Sequence, residues 1–264
     1  MTRTEKIGDR AVRLGFASRE QIDRALTEQR SREQRDGDRV PLGSLLVQLG
    51  AMAPAQLAQL LDQSANSGFH LSEDAVRLAA TLQPALNGTT KLVMIAGARK
   101  HDGASTVAAQ TALALALMEH GPVLLVDCDF RHPAQHERFR IDPAPGIADA
   151  LAGNTSLDDA VQETGVANLQ ILPAGNVGSG GVAQLLSDRA ADMLDTLRPQ
   201  RPITIVDVAP LLECPESAML GARVDAAVIV LAQSKRGESE LSEVERMLST
   251  INVRVLGVVL SRSV

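Results

Sequence analysis

Tryptophan and tyrosine are absent from this 264-residue chain, and four phenylalanines make up its aromatic content of 2%. Without tyrosine it has no phenol to offer as acid, base or phosphate acceptor. Cys128 and Cys214 are its two cysteines, too few for a disulfide scaffold or a four-ligand structural zinc site, and they suit a reducing cytoplasm. The longest apolar runs, 112–118 and 226–232, fall far below the roughly 20 residues that cross a bilayer. Residues 1–6 carry charge where an apolar leader would lie, so no targeting segment or span is expected. Charge of one sign is also scarce. With 26 Lys and Arg against 32 Asp and Glu the formal charge is −6, which provides no general basic surface, and no nucleic-acid partner is expected. What is present is a globular composition, 45% apolar and 22% charged. That is enough for one large α/β domain, or a medium domain with an appendage.

Two segments repeat. Residues 6–29 and 41–64 align at an offset of 35, pairing Gly8 with Gly43, Gly15 with Gly50, Ile22 with Leu57 and Leu26 with Leu61. Each copy predicts a short helix stopped at Gly15 or Gly50, where glycine takes the left-handed cap, then a second helix entered at Ser18 or Pro54. Between the copies, residues 30–40 lack apolar periodicity and contain Gly37, which predicts a solvated linker. Residues 65–69 turn small and polar, and 71–82 predict one more amphipathic helix ended before Pro84. The expected division is a small helical module of two repeated hairpins over 1–68 and a second domain over 69–264.

In the second domain short β-rich runs alternate with helical stretches: 91–96, 123–126, 169–172, 203–206, 226–231 and 255–260. Continuous apolar strands of this kind require cover on both faces, so the expected fold class is α/β, a doubly wound parallel sheet.

Ligands of such sheets bind at the carboxyl ends of the strands, and three ends carry candidate chemistry. After the first run, residues 97–106 lead into a helix over 107–120. In that layout the N–H groups of Gly103, Ala104, Ser105 and Thr106 face an anion, and Ser105 ligates magnesium. A working phosphate loop reads G-x-x-x-x-G-K-[ST], and here Ala104 holds the lysine position. A strand-turn-helix without a ligand fits the same pattern. After the second run come Asp127, Asp129 and Arg131, two carboxylates able to hold Mg²⁺ or orient an attacking group, beside a guanidinium. After the fourth comes Asp207. Each alone also fits a cap or turn residue, so the signal lies in their succession after consecutive strands.

Weaker signals read as structural. Gly178, Gly180 and Ala183 match G-x-G-x-x-A, but the following acids, Asp192 and Asp195, fall in a helical stretch, so a loop is expected. His101, His132 and His136 lack the short-spaced partners a metal needs. Cys128, between two acids that disfavour a thiolate, is expected to be a small buried side chain.

The segments LLVDCDFRHP and IVDVAP, connected by PGIADALAG, NLQILPAG and QLLSD, together resemble the catalytic domain of bacterial tyrosine kinases of capsule and exopolysaccharide biosynthesis, relatives of the MinD/ParA ATPases. The resemblance spans 91–260 and implies a P-loop NTPase fold with ATP and Mg²⁺ as cofactors. In an active member it implies Asp127, Asp129 and Asp207 as catalytic carboxylates, Ser105, Asp127 and Asp207 as magnesium ligands, and Arg99, Arg131 and 103–106 around the nucleotide. It also implies a membrane-embedded polysaccharide chain-length or export protein as partner, a homo-oligomer, and a cytoplasmic place peripheral to the inner membrane. The chain departs from the family pattern at several points. The family loop reads Gly-Glu-Gly-Lys-Ser/Thr-Thr, whereas residues 101–106 are HDGAST, without one glycine and the lysine. Asp74, Arg77 and Ala80 stand where the Glu-x-x-Arg-x-x-Arg assembly motif belongs, and the tyrosine-rich tail has no counterpart here.

The N-terminal repeats resemble a 24-residue motif of type II secretion and pilus ATPases, some of which bind cyclic di-GMP. Lys6, Pro41 and Ser64 depart from that motif, and a helical protein-binding module is the competing reading. Three functions are therefore in view. One is a regulatory subunit with impaired nucleotide binding and catalysis. Another is an active ATPase, or a kinase acting on a partner's tyrosines, with Arg99 or Lys100 replacing the lysine. The third is a cyclic di-GMP receptor. Losing a charged hydrogen bond to phosphate costs about ten- to a hundredfold in affinity, and the lysine also stabilises transition-state charge, which favours the first.

Overall fold

The computed structural model describes residues 7–36, 40–62, 71–86, 91–118, 121–200, 203–233 and 237–261. Four helices come first, α1 (Ile7–Arg13), α2 (Arg19–Asp36), α3 (Leu42–Gln48) and α4 (Pro54–Asp62). They form two hairpins whose hydrogen bonds recur 35 positions apart. The Phe16 N–H donates to the Ala11 carbonyl at 2.9 Å and the Ala51 N–H to the Leu46 carbonyl at 2.8 Å. The second helix of each pair is closed alike, by Ser18 N–H on Gln21 Oε1 at 2.7 Å and by Ala53 N–H on Gln56 Oε1 at 2.9 Å. Gly15 and Gly50 turn the chain at φ of 71° and 66°, a conformation that glycine adopts without steric cost. A Cβ on Gly43 would stand 3.0 Å from Leu57, and one on Gly8 would stand 3.3 Å from Ile22, so these glycines let paired helices touch.

The stretch expected as a linker is helical at its start: α2 runs on to Asp36. Arg32 pairs with Glu28 one turn back at 2.8 Å, and no breaker precedes Gly37. Residues 37–39 of that linker, and the expected division at 68/69, lie outside the described residues. Helix α5 (Glu73–Leu86) likewise passes through Pro84. The proline costs the bond to the Ala80 carbonyl, but only in the last turn, which buried Leu82 and Leu86 hold in place.

Among the described residues the sheet has seven strands in the order β3-β4-β2-β5-β1-β6-β7. They are β1 (Leu92–Gly97), β2 (Val123–Cys128), β3 (Gln162–Glu163), β4 (Leu169–Leu172), β5 (Ile203–Val208), β6 (Ala226–Ala232) and β7 (Arg254–Ser261). Every neighbouring pair is parallel except β3 with β4, a two-residue antiparallel edge too short for any periodic signal. Strands β2 and β5 run two residues further than their apolar runs, which places Asp127 and Asp207 inside the ladder, directly opposite each other. Helix α6 (Ala104–Leu117) follows β1 and starts at Ala104, three residues before the expected Val107.

Both faces of the sheet are covered. Val93, Ile95, Leu125 and Ile205 pack under α6 and α5, and the same apolar cluster continues without a break into Leu46, Leu57 and Leu60 of the hairpins. Met94, Val126, Val206 and Ile229 on the other face pack against Leu194, Leu220, Val244 and Leu248. Among the described residues no helix is long and apolar enough to cross a membrane.

Candidate functional site

Strands β1, β2 and β5 are neighbours at the centre of the sheet, so their carboxyl ends open into one cleft of about 750 Å³. Its floor is the turn from Gly97 to Gly103. A Cβ on Gly97 would stand 3.0 Å from the Arg99 carbonyl and 3.2 Å from the Asp102 side chain, so the turn closes tightly because position 97 is bare. Asp102, 5% exposed, braces it. One carboxylate oxygen accepts from Arg99 N–H at 2.8 Å and the other from Ala232 N–H at 3.1 Å, and the Ser261 hydroxyl donates to its carbonyl at 2.6 Å. The loop is thereby pinned to the ends of β6 and β7. His101 sits at φ 71° and Gly103 at φ 87°. Position 101 is left-handed, a conformation that favours glycine, and the loop bears the strain on a histidine. Gly103 caps α6, whose first-turn N–H groups, on Ala104, Ser105 and Thr106, have no intrahelical acceptor and belong to residues that line the cleft.

The carboxylates divide by their surroundings. Asp127 is fully buried and holds the turn after β2: its oxygens accept from Asp129 N–H at 3.2 Å and from Ala134 and Gln135 N–H at 3.0 Å each. Burial nevertheless pushes its pKa up to about 6, against those three donors and with the Asp129 charge adding to the rise. Asp129 lines the cleft and accepts from Arg131 and His132 N–H at 3.1 and 3.0 Å. Asp207 is fully buried. Its Oδ2 accepts from Gln135 Nε2 at 2.6 Å, the Ser105 hydroxyl lies beside it and lowers its pKa, and among the described residues its Oδ1 has no partner. Burial and then the opposing Asp127 hold its carboxyl well above the ordinary range. A buried carboxylate oxygen without a donor, beside a helix-start hydroxyl, is the donor set that suits Mg²⁺, which takes one or two protein oxygens and completes its shell with water and phosphate. Among the described residues no group of three or more His, Cys, Asp or Glu forms a metal cage.

The cations divide as sharply. Arg99 Nε bonds Glu240 at 2.7 Å, with Glu213 at 3.8 Å on the other side. Arg131 Nε bonds the buried Glu216 at 2.6 Å. Lys100 Nζ lies 2.9 Å from His132 Nε2. Sequence reasoning missed Gln135, whose amide also donates to the Ser105 carbonyl at 3.0 Å and so joins loop to Asp207. It also missed Arg138, which lines the cleft from helix α7 (Gln135–Phe139). Both lie just past the acidic motif, and neither carries a pattern signal. Cys128 is buried, with its thiol pushed up by burial and the three aspartates. The glycine-rich stretch near Gly178 is partly helical, over Gly181–Leu185, and Asp192 and Asp195 lie in the helix Asp188–Gln200.

No family model matches the chain. EpsB of Ralstonia solanacearum, named as a tyrosine-protein kinase, is 33% identical over 190 residues, 71% of this chain and 25% of that protein. The chain thus spans about a quarter of the length of the first curated relatives it matches. The kinase domain of VpsO is 30% identical with a TM-score of 0.63, covering 72% of this chain and 96% of that structure. The septum site-determining protein MinD of Pyrococcus horikoshii, solved with Mg-ADP, shares the fold at a TM-score of 0.56 and 24% identity, covering 65% of this chain and 70% of that one. The chain therefore belongs to the bacterial tyrosine-protein kinases, through a kinase domain of the MinD-like P-loop fold.

Proposed function

We propose that this chain is a regulatory subunit of exopolysaccharide biosynthesis or export in which the kinase domain holds Mg²⁺ and nucleotide weakly and does not transfer phosphate efficiently. One observation carries the reading. In the first turn of α6, Ser105 reaches the buried Asp207, while the adjacent Ala104 presents a methyl group where a phosphate loop needs an ammonium. The magnesium side of the cleft is equipped and the phosphate side is short of charge. Arg99 supports no rescue, because it is paired with Glu240 and Glu213. When bound, Mg²⁺ would neutralise phosphate charge, held by Ser105 and Asp207. Asp129 fits a water-mediated contact, and Asp127 organises the turn that presents it.

The partner on this reading is a membrane-embedded polysaccharide chain-length or export protein, which places the chain in the cytoplasm against the inner membrane, as a homo-oligomer or singly. Turnover is the test. Purified full-length chain with MgATP should release phosphate at a rate close to buffer alone and put no phosphate on tyrosines of a co-expressed export protein. Phosphotyrosine on that partner would establish the active-kinase reading. Cyclic di-GMP belongs in the same experiment, since saturable binding there would move the function to the hairpin repeats.

A further inference from the structure

We propose that Arg138 supplies the phosphate-side positive charge that Ala104 lacks, so that the cleft grips the phosphate chain of a nucleoside polyphosphate through a guanidinium on α7. The inference rests on the nucleotide reading above and adds the group that makes it workable.

Arg138 lines the same cleft as Ser105 and Thr106, and its Nε is buried with no hydrogen-bond acceptor among the described residues. A buried donor on a charged group is costly unless something satisfies it, and such groups concentrate where a ligand completes them. The other cleft arginine is already committed, Arg99 to Glu240, and Arg131 nearby is held by Glu216. Among the described residues no carboxylate lies within ion-pair distance of Arg138. Lys100 is exposed and rests against His132.

Helix α7 is also fixed relative to the loop. Gln135, in its first turn, bonds both Asp207 and the Ser105 carbonyl, and Phe139 at its end is 8% exposed. The guanidinium is therefore offered from a part of the fold that is tied to the magnesium side, and its planar fork suits phosphate oxygens. A guanidinium on α7 thus offsets part of the charge that position 104 lacks.

Calorimetric titration of full-length wild type, Arg138→Gln, Arg138→Lys, Ala104→Lys and the double variant Ala104→Lys/Arg138→Gln with MgATP tests this. Arg138→Gln should weaken MgATP about ten- to a hundredfold, and Arg138→Lys should lose less. The loss on Arg138→Gln should shrink in the Ala104→Lys background, where an ammonium already meets the phosphates. Because Nε has no partner among the described residues, the melting temperature without nucleotide should not fall in Arg138→Gln, while the rise caused by MgATP diminishes. Wild-type affinity in Arg138→Gln would overturn the assignment and leave the nucleotide site standing. A melting temperature that falls without nucleotide while MgATP affinity is unchanged would show a structural arginine and overturn it too. Binding by Ala104→Lys but not by wild type would remove Arg138 as the substitute, and binding by neither would overturn the nucleotide reading itself.

Discussion

At the scale of single residues, the cleft stores electrostatic and backbone strain that can be measured. Asp127 and Asp207 face each other across one ladder rung, both fully buried and both with raised pKa values. For Asp127 the folded value of about 6 lies above the ordinary 3.8. The folded state therefore binds more protons than the unfolded one between those values, and stability should fall as pH rises from about 4 through 6. The shift corresponds to about 3 kcal/mol at neutral pH. Thermal melts of the nucleotide-free chain across pH 4.5 to 7.5 should show that decline. Asp207→Asn should raise the melting temperature at pH 7.5, since it removes a buried ionisable group facing Asp127, and should abolish the magnesium dependence of nucleotide binding. His101→Gly should stabilise the chain by about 0.5–1 kcal/mol, the left-handed penalty less the entropy of glycine, as an equilibrium denaturation would show. Arg131 was legible as a basic residue beside the acids, but what it touches was not: Glu216 lies 85 positions away in sequence. Arg131→Ala should lower the melting temperature by leaving the buried Glu216 without its partner, and Glu216→Gln in that background should recover most of the loss.

At the scale of elements, apolar runs located six strands because parallel strands buried on both faces need continuous β-branched and aliphatic residues. Their ends were legible only to within two residues. Polar residues such as Asp127 and Asp207 break the apolar run while the backbone ladder continues through them. The same limit hid the start of α6, because Ala104, Ser105 and Thr106 carry no apolar stripe. The charged end of α2 was misread for a complementary reason. A solvated helix held by a Glu28–Arg32 pair has the composition of a linker, and only backbone periodicity distinguishes them. Gly15 and Gly50 were readable because each follows a helical stripe at a place where the chain must reverse, and both take positive φ. Gly15→Ala or Gly50→Ala should each lower stability by about 1 kcal/mol, checked by chemical denaturation, since alanine in that conformation meets the left-handed penalty.

At the scale of the whole molecule, the kinase family and its sheet were legible from two motifs in their order, whereas the wiring of the cleft was not. The pairing of Arg99 with Glu240, the brace from Asp102 to β6 and β7, and the placing of Arg138 join segments brought together only by folding. The hairpins share one apolar cluster with α5, α6 and the sheet, so substitutions such as Leu57→Ala should destabilise the sheet domain as well, in a single cooperative melt. Residues 1–264 contain no tyrosine, and incubation of this chain with MgATP should give no phosphotyrosine on it, as an anti-phosphotyrosine blot or mass spectrometry would show. The central claim is that the site keeps its magnesium side while its phosphate loop lacks the lysine charge at position 104. Its most direct test is calorimetric titration of ATP, with and without Mg²⁺, into wild type and Ala104→Lys. Wild type should bind saturably and only with Mg²⁺, and Ala104→Lys should bind about tenfold or more tightly. Equal affinity in the two proteins, or wild-type binding indifferent to Mg²⁺, would contradict it.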